Sequence, residues 1–251
     1  MDEIIPNLYF LALAFCIVAF LYSSVGLGGG SSYTALMAII GVHYLLIPTI
    51  SLILNLIVTS IASINFLRGG HGRIRLMFPF LITSIPMAYI GGSLHFPKDI
   101  FFLLLMATLV LVALRVYVWD RPALRLNLTS SGKLAVSLLI GGILGFIAGA
   151  VGIGGGIYLV PLIIILGLGT EKEAAATGAI FIWLNSCAGL AARVGDFPNP
   201  VTILPLVLAV IIGGVAGSSL GANKYEPRTM QKFLGCVILI AIAILLGKMA
   251  L

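Results

Sequence analysis

Between Glu3 and Arg68 the chain carries no aspartate, glutamate, lysine or arginine. A stretch of that length cannot coat a water-soluble domain, in which about a quarter of the residues are charged. It belongs in a bilayer, where one helical crossing takes roughly 20 apolar residues, so it holds more than one crossing. The same lack of charge returns at 76–97, 134–170 and 197–223. Shorter charge-free runs at 100–114, 174–192 and 233–247 reach spanning length if Arg115, Arg193, Lys232 and Lys248 snorkel to the interface. The composition agrees: 61% hydrophobic and 9% charged over 251 residues, with a mean hydropathy of +1.20. The chain reads as an all-α polytopic membrane protein.

Apolar runs and their breakers predict a hairpin at 7–41, broken at Gly26 to Gly30, then spans at 46–66, 77–95 and 99–118. A basic connector over 119–133 follows. The pattern then recurs as a hairpin at 134–168 and spans at 172–193, 200–222 and 229–250. The recurrence holds residue by residue. VGLGGG at 25–30 and VGIGGG at 151–156 lie 126 positions apart, as do Gly91-Gly92-Ser93-Leu94 and Gly217-Ser218-Ser219-Leu220. Asn55 and Asn185 lie 130 apart. Matching order, type and spacing predict an internal repeat, with residues 1–125 as the first half and 126–251 as the second.

Basic residues sit in short loops, which speaks for membrane anchoring and not for nucleic acid, despite a net charge of +6. The loop from Arg68 to Arg75 has three arginines. The connector has Arg121, Arg125 and Lys133 against Asp120, and the 223–232 loop has Lys224, Arg228 and Lys232 against Glu226. The loops 95–99 and 193–200 each balance one base with one acid. The first three loops are therefore expected in the cytoplasm, with both termini outside. The opening MDEIIPN lacks a basic leader, so the first apolar stretch is expected to be retained. Residues 7–41 would make about 52 Å of helix, too long for one crossing. Whether this hairpin is re-entrant or crosses twice, the number of crossings is even. Three further spans make each half odd, so the halves are expected to be inverted, a common plan of secondary transporters.

Three successive glycines in mid-membrane break a helix and leave N–H groups that need partners. A helix resuming near Gly28 or Gly154 would aim its positive end at a cavity, which suits a small anion. The bland alternative is a tight turn or close helix crossing. Gly28, Gly29, Gly30, Gly154, Gly155 and Gly156 are the candidate substrate contacts. Asn55 and Asn185 join them, as donors to the anion or else as interhelical hydrogen-bonding residues. Ser31 follows the first run where Ile157 follows the second, so the site is expected to be asymmetric. Gly141, Gly145 and Gly149, and Gly213, Gly217 and Gly221, repeat every fourth residue and read as packing faces. Arg193 reads as a snorkelling anchor, or alternatively as a lure for anions at the outer mouth.

No acid falls at a span midpoint, so a carboxylate proton relay is not expected. No metal cluster, catalytic triad, nucleotide-binding signature or cofactor motif stands out, and no enzymatic activity or cofactor is expected. Cys16, Cys187 and Cys236 lie in apolar runs and read as packing residues.

At VGLGGG and VGIGGGIYLVPL, and in its four-plus-four hydrophobic layout, the chain resembles the TauE/SafE sulfite-exporter family. The resemblance covers essentially the whole chain. It implies a multi-pass transporter of the prokaryotic cytoplasmic membrane for small sulfur-containing anions such as sulfite or organosulfonates. It also implies that the glycine breaks face the permeation path. The substrate's own proton, a sodium ion or the membrane potential is the expected means of coupling, and export the expected direction. The rival readings are an anion-selective channel and a non-transporting membrane scaffold.

Overall fold

Apolar runs that must satisfy their backbone polar groups without water have helix as their main option. The computed structural model describes residues 7–118, 129–195, 197–221, 238–240 and 242–247, and among them there is no strand. Nine helices are named here: α1 (Leu8–Ser23), α2 (Gly30–Ile40), α3 (Leu46–Arg68), α4 (Ile74–Ser93) and α5 (Lys98–Val118), then α6 (Ser130–Val151), α7 (Gly156–Ile165), α8 (Glu171–Ala191) and α9 (Pro200–Gly221). Residues 238–240 and 242–247 are helical as well. Asp2, Glu3, Asp196, Cys236, the connector over 119–128 and the 223–232 loop lie outside the described residues, as does the boundary between the two expected halves.

Helices α3, α4, α6, α8 and α9 are long and apolar enough to cross a bilayer. Helices α2 and α7, with 11 and 10 residues, are not. Each reaches about 16 Å, roughly half of the hydrocarbon thickness. The helices resume at Gly30 and Gly156, two residues later than expected from the sequence. Gly29 (φ +95°), Gly154 (φ +80°) and Gly155 (φ +73°) hold left-handed backbone that an α-helix cannot include.

Small residues set the helix pairs. Gly141, Gly145 and Gly149 of α6 press on the carbonyls of Phe80, Ser84 and Ala88 of α4, so a Cβ at any of them would overlap backbone. Both sets advance together, so α4 and α6 run parallel. Gly213 and Gly217 of α9 meet the carbonyls of Cys16 and Phe20 of α1 in the same way, and this pair is also parallel. Helices α3 and α8 run antiparallel. Phe66 and Ala62 share a cluster with Ala175 and Ala179, Ser60 accepts from the Trp183 indole at 2.8 Å, and Leu52 meets Gly189.

Gly142 sits between these packing glycines but has only Met87 and Thr83 at 3.8 Å from an added Cβ. Gly145→Leu should therefore cost about 3 kcal/mol or more by overpacking, while Gly142→Leu stays near neutral. Thermal melting in detergent checks the contrast; equal melting temperatures would contradict the α4–α6 register.

One end of the bundle gathers the start of α3, the end of α4, the end of α6 and the end of α8, where Pro48, Leu94, Ala150 and Arg193 line a common cleft. The other end holds the arginine loop, with Arg73 paired to Glu173 of α8 at 3.4 Å. The outgoing α1 ends on the arginine side, where Gly26 meets Phe66 and Ala175. The chain returns through nonhelical residues 24–29 and then α2, which joins α3 at the opposite end. The return crossing is thus half loop and half helix.

Candidate functional site

Asn55 is the tenth residue of the 23-residue α3, near its middle, and both glycine breaks converge on it. A Cβ on Gly28 would stand 2.5 Å from Asn55 Oδ1, one on Gly30 would collide with Asn55 Nδ2, and one on Gly154 would lie 3.1 Å from Nδ2. Asn55 Nδ2 donates to the Gly152 carbonyl at 3.2 Å. Ser51, one turn earlier on the same face, donates to that carbonyl at 2.7 Å and lies 3.4 Å from the Gly30 carbonyl. Thr59, one turn later, donates to the Asn55 carbonyl. The polar stripe Ser51–Asn55–Thr59 on an otherwise apolar helix was visible as an i, i+4, i+8 spacing, yet the sequence reading picked out only Asn55.

Glycine is required at this crossing for space as well as for φ. A Cβ on Gly30 would lie 2.7 and 2.8 Å from the carbonyl oxygens of Ile153 and Gly152. The two breaks touch, and residues 22–35 and 148–157 are buried, save a half-buried Tyr158 just beyond. Along the first break Ser32 and Tyr33 donate their N–H groups to Gly29, while no acceptor meets the N–H groups of Gly28, Gly29, Gly30 and Ser31 among the described residues. At the second, Tyr158 and Leu159 donate to Gly155, and Ile153 through Ile157 are likewise without acceptors among them. Two helix N-termini thus present uncapped donors within a buried region, the arrangement that favours an anion.

The two sides differ. Around the first break the Tyr22 hydroxyl meets Ser31 Oγ at 2.6 Å and Ser32 Oγ at 2.9 Å. Thr34 donates to the Gly30 and Ser31 carbonyls. Tyr33, fully buried and packed on Phe15 with ring centroids 4.6 Å apart, folds against Gly29, and its hydroxyl has no partner among the described residues. Around the second break the neighbours are Phe181 and Ile182. The first break is thus lined by hydroxyls, those of Tyr22 and Tyr33 as well as Ser31, and the second by apolar side chains.

Asn185 donates to Phe181 of its own helix at 2.8 Å, so this bond is not an interhelical one. The nearest atoms to Gly154, Gly155 and Gly156 include none of Asn185. Its Oδ1, like Asn55 Oδ1, is buried without a hydrogen-bond partner among the described residues.

Arg193 departs from the snorkelling expectation. It is only 3% exposed, and its Nη2 donates to the carbonyls of Gly149 at 3.2 Å and Ala150 at 3.3 Å. The last carbonyls of α6 carry the negative end of the helix dipole, which holds a guanidinium better than an interfacial position does. Among the described residues no group of three His, Cys, Asp or Glu side chains could hold a metal. Cys16 and Cys187 are free thiols.

The sequence model of the sulfite exporter TauE/SafE family matches residues 11–245. A "Probable membrane transporter protein y4hK" of Sinorhizobium fredii is 32% identical over 234 residues, covering 92% of this chain and 95% of its own length. A "Probable membrane transporter protein YjnA" of Bacillus subtilis is 28% identical over 245 residues, covering 89% and 94%. No solved structure matches the chain.

Proposed function

The chain belongs to the sulfite exporter TauE/SafE family of membrane transporters, and on that premise we propose that it exports small sulfur-containing anions, such as sulfite or organosulfonates, by alternating access. The observation that carries the reading is the meeting of two uncapped half-helix N-termini beside Asn55, in the middle of α3. Gly28 to Ser31 on one side and Gly154 to Gly156 on the other supply backbone N–H groups. Asn55 supplies a carboxamide between them, and Asn185 a second one, a turn beyond Phe181. The oxyanion head sits on the hydroxyl-rich first break.

The two halves are inverted repeats. In support, α3 and its repeat counterpart α8 run antiparallel, and each first helix lies parallel to the other half's fourth element (α1 with α9, α6 with α4). Rocking of one half on the other exposes the shared centre to each face in turn. The buried contact between the breaks fits a carrier better than a continuous pore. The acids among the described residues, Asp99, Glu171 and Glu173, all stand in first helical turns. Coupling therefore falls to a substrate proton, a sodium ion on carbonyl and hydroxyl oxygens, or the potential. An inside-negative potential drives anion exit by about 2.3 kcal/mol per charge per 100 mV.

The test is counterflow in proteoliposomes loaded with unlabelled sulfite or ethanesulfonate. Saturable accumulation of the labelled anion is expected. No flux of sulfite, sulfonates or simple anions would overturn the reading, and non-saturating single-channel currents would turn it into a channel.

A further inference from the structure

The turn between α3 and α4 is fixed by its own backbone. Gly70 holds left-handed backbone at φ +74°, its N–H donates to the Leu67 carbonyl at 3.0 Å, and the His71 N–H reaches back to the Phe66 carbonyl at 3.2 Å. This glycine-closed helix end satisfies two of the last carbonyls of α3. It leaves Arg68 as the last residue of α3 and Arg75 as the second of α4. Leu67 lies over Gly72, where an added Cβ would overlap its side chain. The two arginines therefore stand at set places on either side of a compact turn.

Within the fold only Arg73 of this turn is paired, with Glu173 of α8 at 3.4 Å. The side chains of Arg68 and Arg75 are exposed and have no hydrogen-bond or ion-pair partner among the described residues. Arg68 suits the negative end of α3, but Arg75 sits in the first turn of α4, where the dipole disfavours a cation and no acid offsets it. With Lys172, Glu171 and Glu173 of α8 counted, this end has four cations against two carboxylates. An apolar surface adjoins the unpaired arginines. Ile74, Phe78 and Ile82 are 77%, 61% and 49% exposed and, spaced by four, form one ridge running down α4 from beside Arg75. Ile64 and Leu67, exposed on α3 beside Arg68, continue that surface across the turn.

We propose that Arg68 and Arg75 form a docking site for an anionic phospholipid, whose phosphodiester they bind while its acyl chains follow the ridges of α3 and α4. A zwitterionic lipid brings its own cation to the same place and gains less from the two arginines. A free phosphate has the charge but no chains to lay on the ridges. Helices α3 and α4 both pack on α8 and scarcely touch each other, so the lipid links two elements that the chain itself joins only by the turn. The docking needs nothing of the anion reading of the centre.

Phe78, on the α4 ridge one turn below Ile74, is the reporter position. Phe78→Trp is placed in a chain carrying Trp119→Phe and Trp183→Phe, in phosphatidylcholine bilayers. Quenching by brominated phosphatidylglycerol is compared with quenching by brominated phosphatidylcholine at equal mole fraction. A preference of about tenfold for the anionic lipid is expected from two basic residues at the surface. Ile212→Trp, a lipid-facing reporter on α9, should show none. The preference should vanish when Arg68→Gln and Arg75→Gln are combined and persist with Arg68→Lys and Arg75→Lys. Arg75→Gln should melt no lower in detergent without anionic lipid, since it removes a cation from the positive end of α4. Equal preference with and without the two arginines would overturn the proposal. So would no preference at Phe78→Trp when both are present, a result that needs no arginine variant to fold. Displacement of the brominated lipid by glycerol 1-phosphate at equal concentration would make this a site for free phosphate and overturn the lipid assignment. Quenching requires no transport, so its failure leaves the transporter reading untouched, and zero flux leaves the lipid site standing.

Discussion

Asn55→Leu is expected to bring sulfite and sulfonate counterflow down to the level of protein-free liposomes. Leucine keeps the branched shape and the number of heavy atoms while both polar atoms are lost, and its bulkier methyl groups crowd Gly28 and Gly30. The Gly152 carbonyl still receives Ser51, so the lost hydrogen bond costs only about 1 kcal/mol, to which crowding adds about 1–3 kcal/mol. Hydrogen bonds to charged groups contribute about 1.5–3 kcal/mol, equivalent to roughly 10- to 150-fold in affinity. Substrate-induced stabilisation measures this loss without transport, since a ligand at 100 times its Kd stabilises by about 2.7 kcal/mol. That rise should vanish in Asn55→Leu. Asn55→Asp gives a second reading, because its carboxylate brings an internal anion to the uncapped N–H groups. Transport stops and added sulfite no longer raises the melting temperature, while the unliganded protein melts no lower than the leucine variant. Asn185→Leu should do less, as its amide bonds only the Phe181 carbonyl of its own helix. Retained counterflow in Asn55→Leu would remove Asn55 from the site.

The helices and their order were legible because lipid leaves few choices: each long charge-free run had to become a helix, and the glycine runs had to interrupt one. Packing faces were legible too, since Gly141, Gly145 and Gly149 repeat at the helical period and meet α4 in that register. What could not be read was which groups the breaks would meet. Sequence symmetry put Asn55 and Asn185 on equal terms, but a repeat fixes spacing and not rotation about a helix axis. Asn55 touches both breaks, whereas Phe181 and Ile182 occupy the matching surface of α8. Arg193 was misread for a related reason. A basic residue at the end of an apolar run looks like an interfacial anchor until a partner is known, and its partner, the end of α6, lies more than 40 positions away.

Gly29→Val should abolish transport in a protein that still inserts and stays folded, and Gly41→Val shows why the loss belongs to the site. Both glycines hold left-handed backbone, at φ +95° and +87°. A β-branched residue is strained in either place, at a cost on the order of 1–2 kcal/mol or more. Around Gly41 no atom lies within 4 Å of an added Cβ, and the residue only closes the far end of α2. At Gly29 the Cβ would stand 2.7 Å from the Tyr33 ring, which is itself locked against Phe15. Relief of strain at Gly29 means turning its backbone out of the left-handed region, which swings the N–H groups of Gly29, Gly30 and Ser31 away from a common centre. Gly41 can relax without moving a single donor of the site. Cooperative melting in both variants, lower in Gly29→Val by the added Tyr33 clash, with counterflow lost only in Gly29→Val, is the expected result. Parallel loss of flux in both would mean that the strain alone disables the protein, and normal flux in Gly29→Val would show that the backbone donors of the first break do not hold the anion.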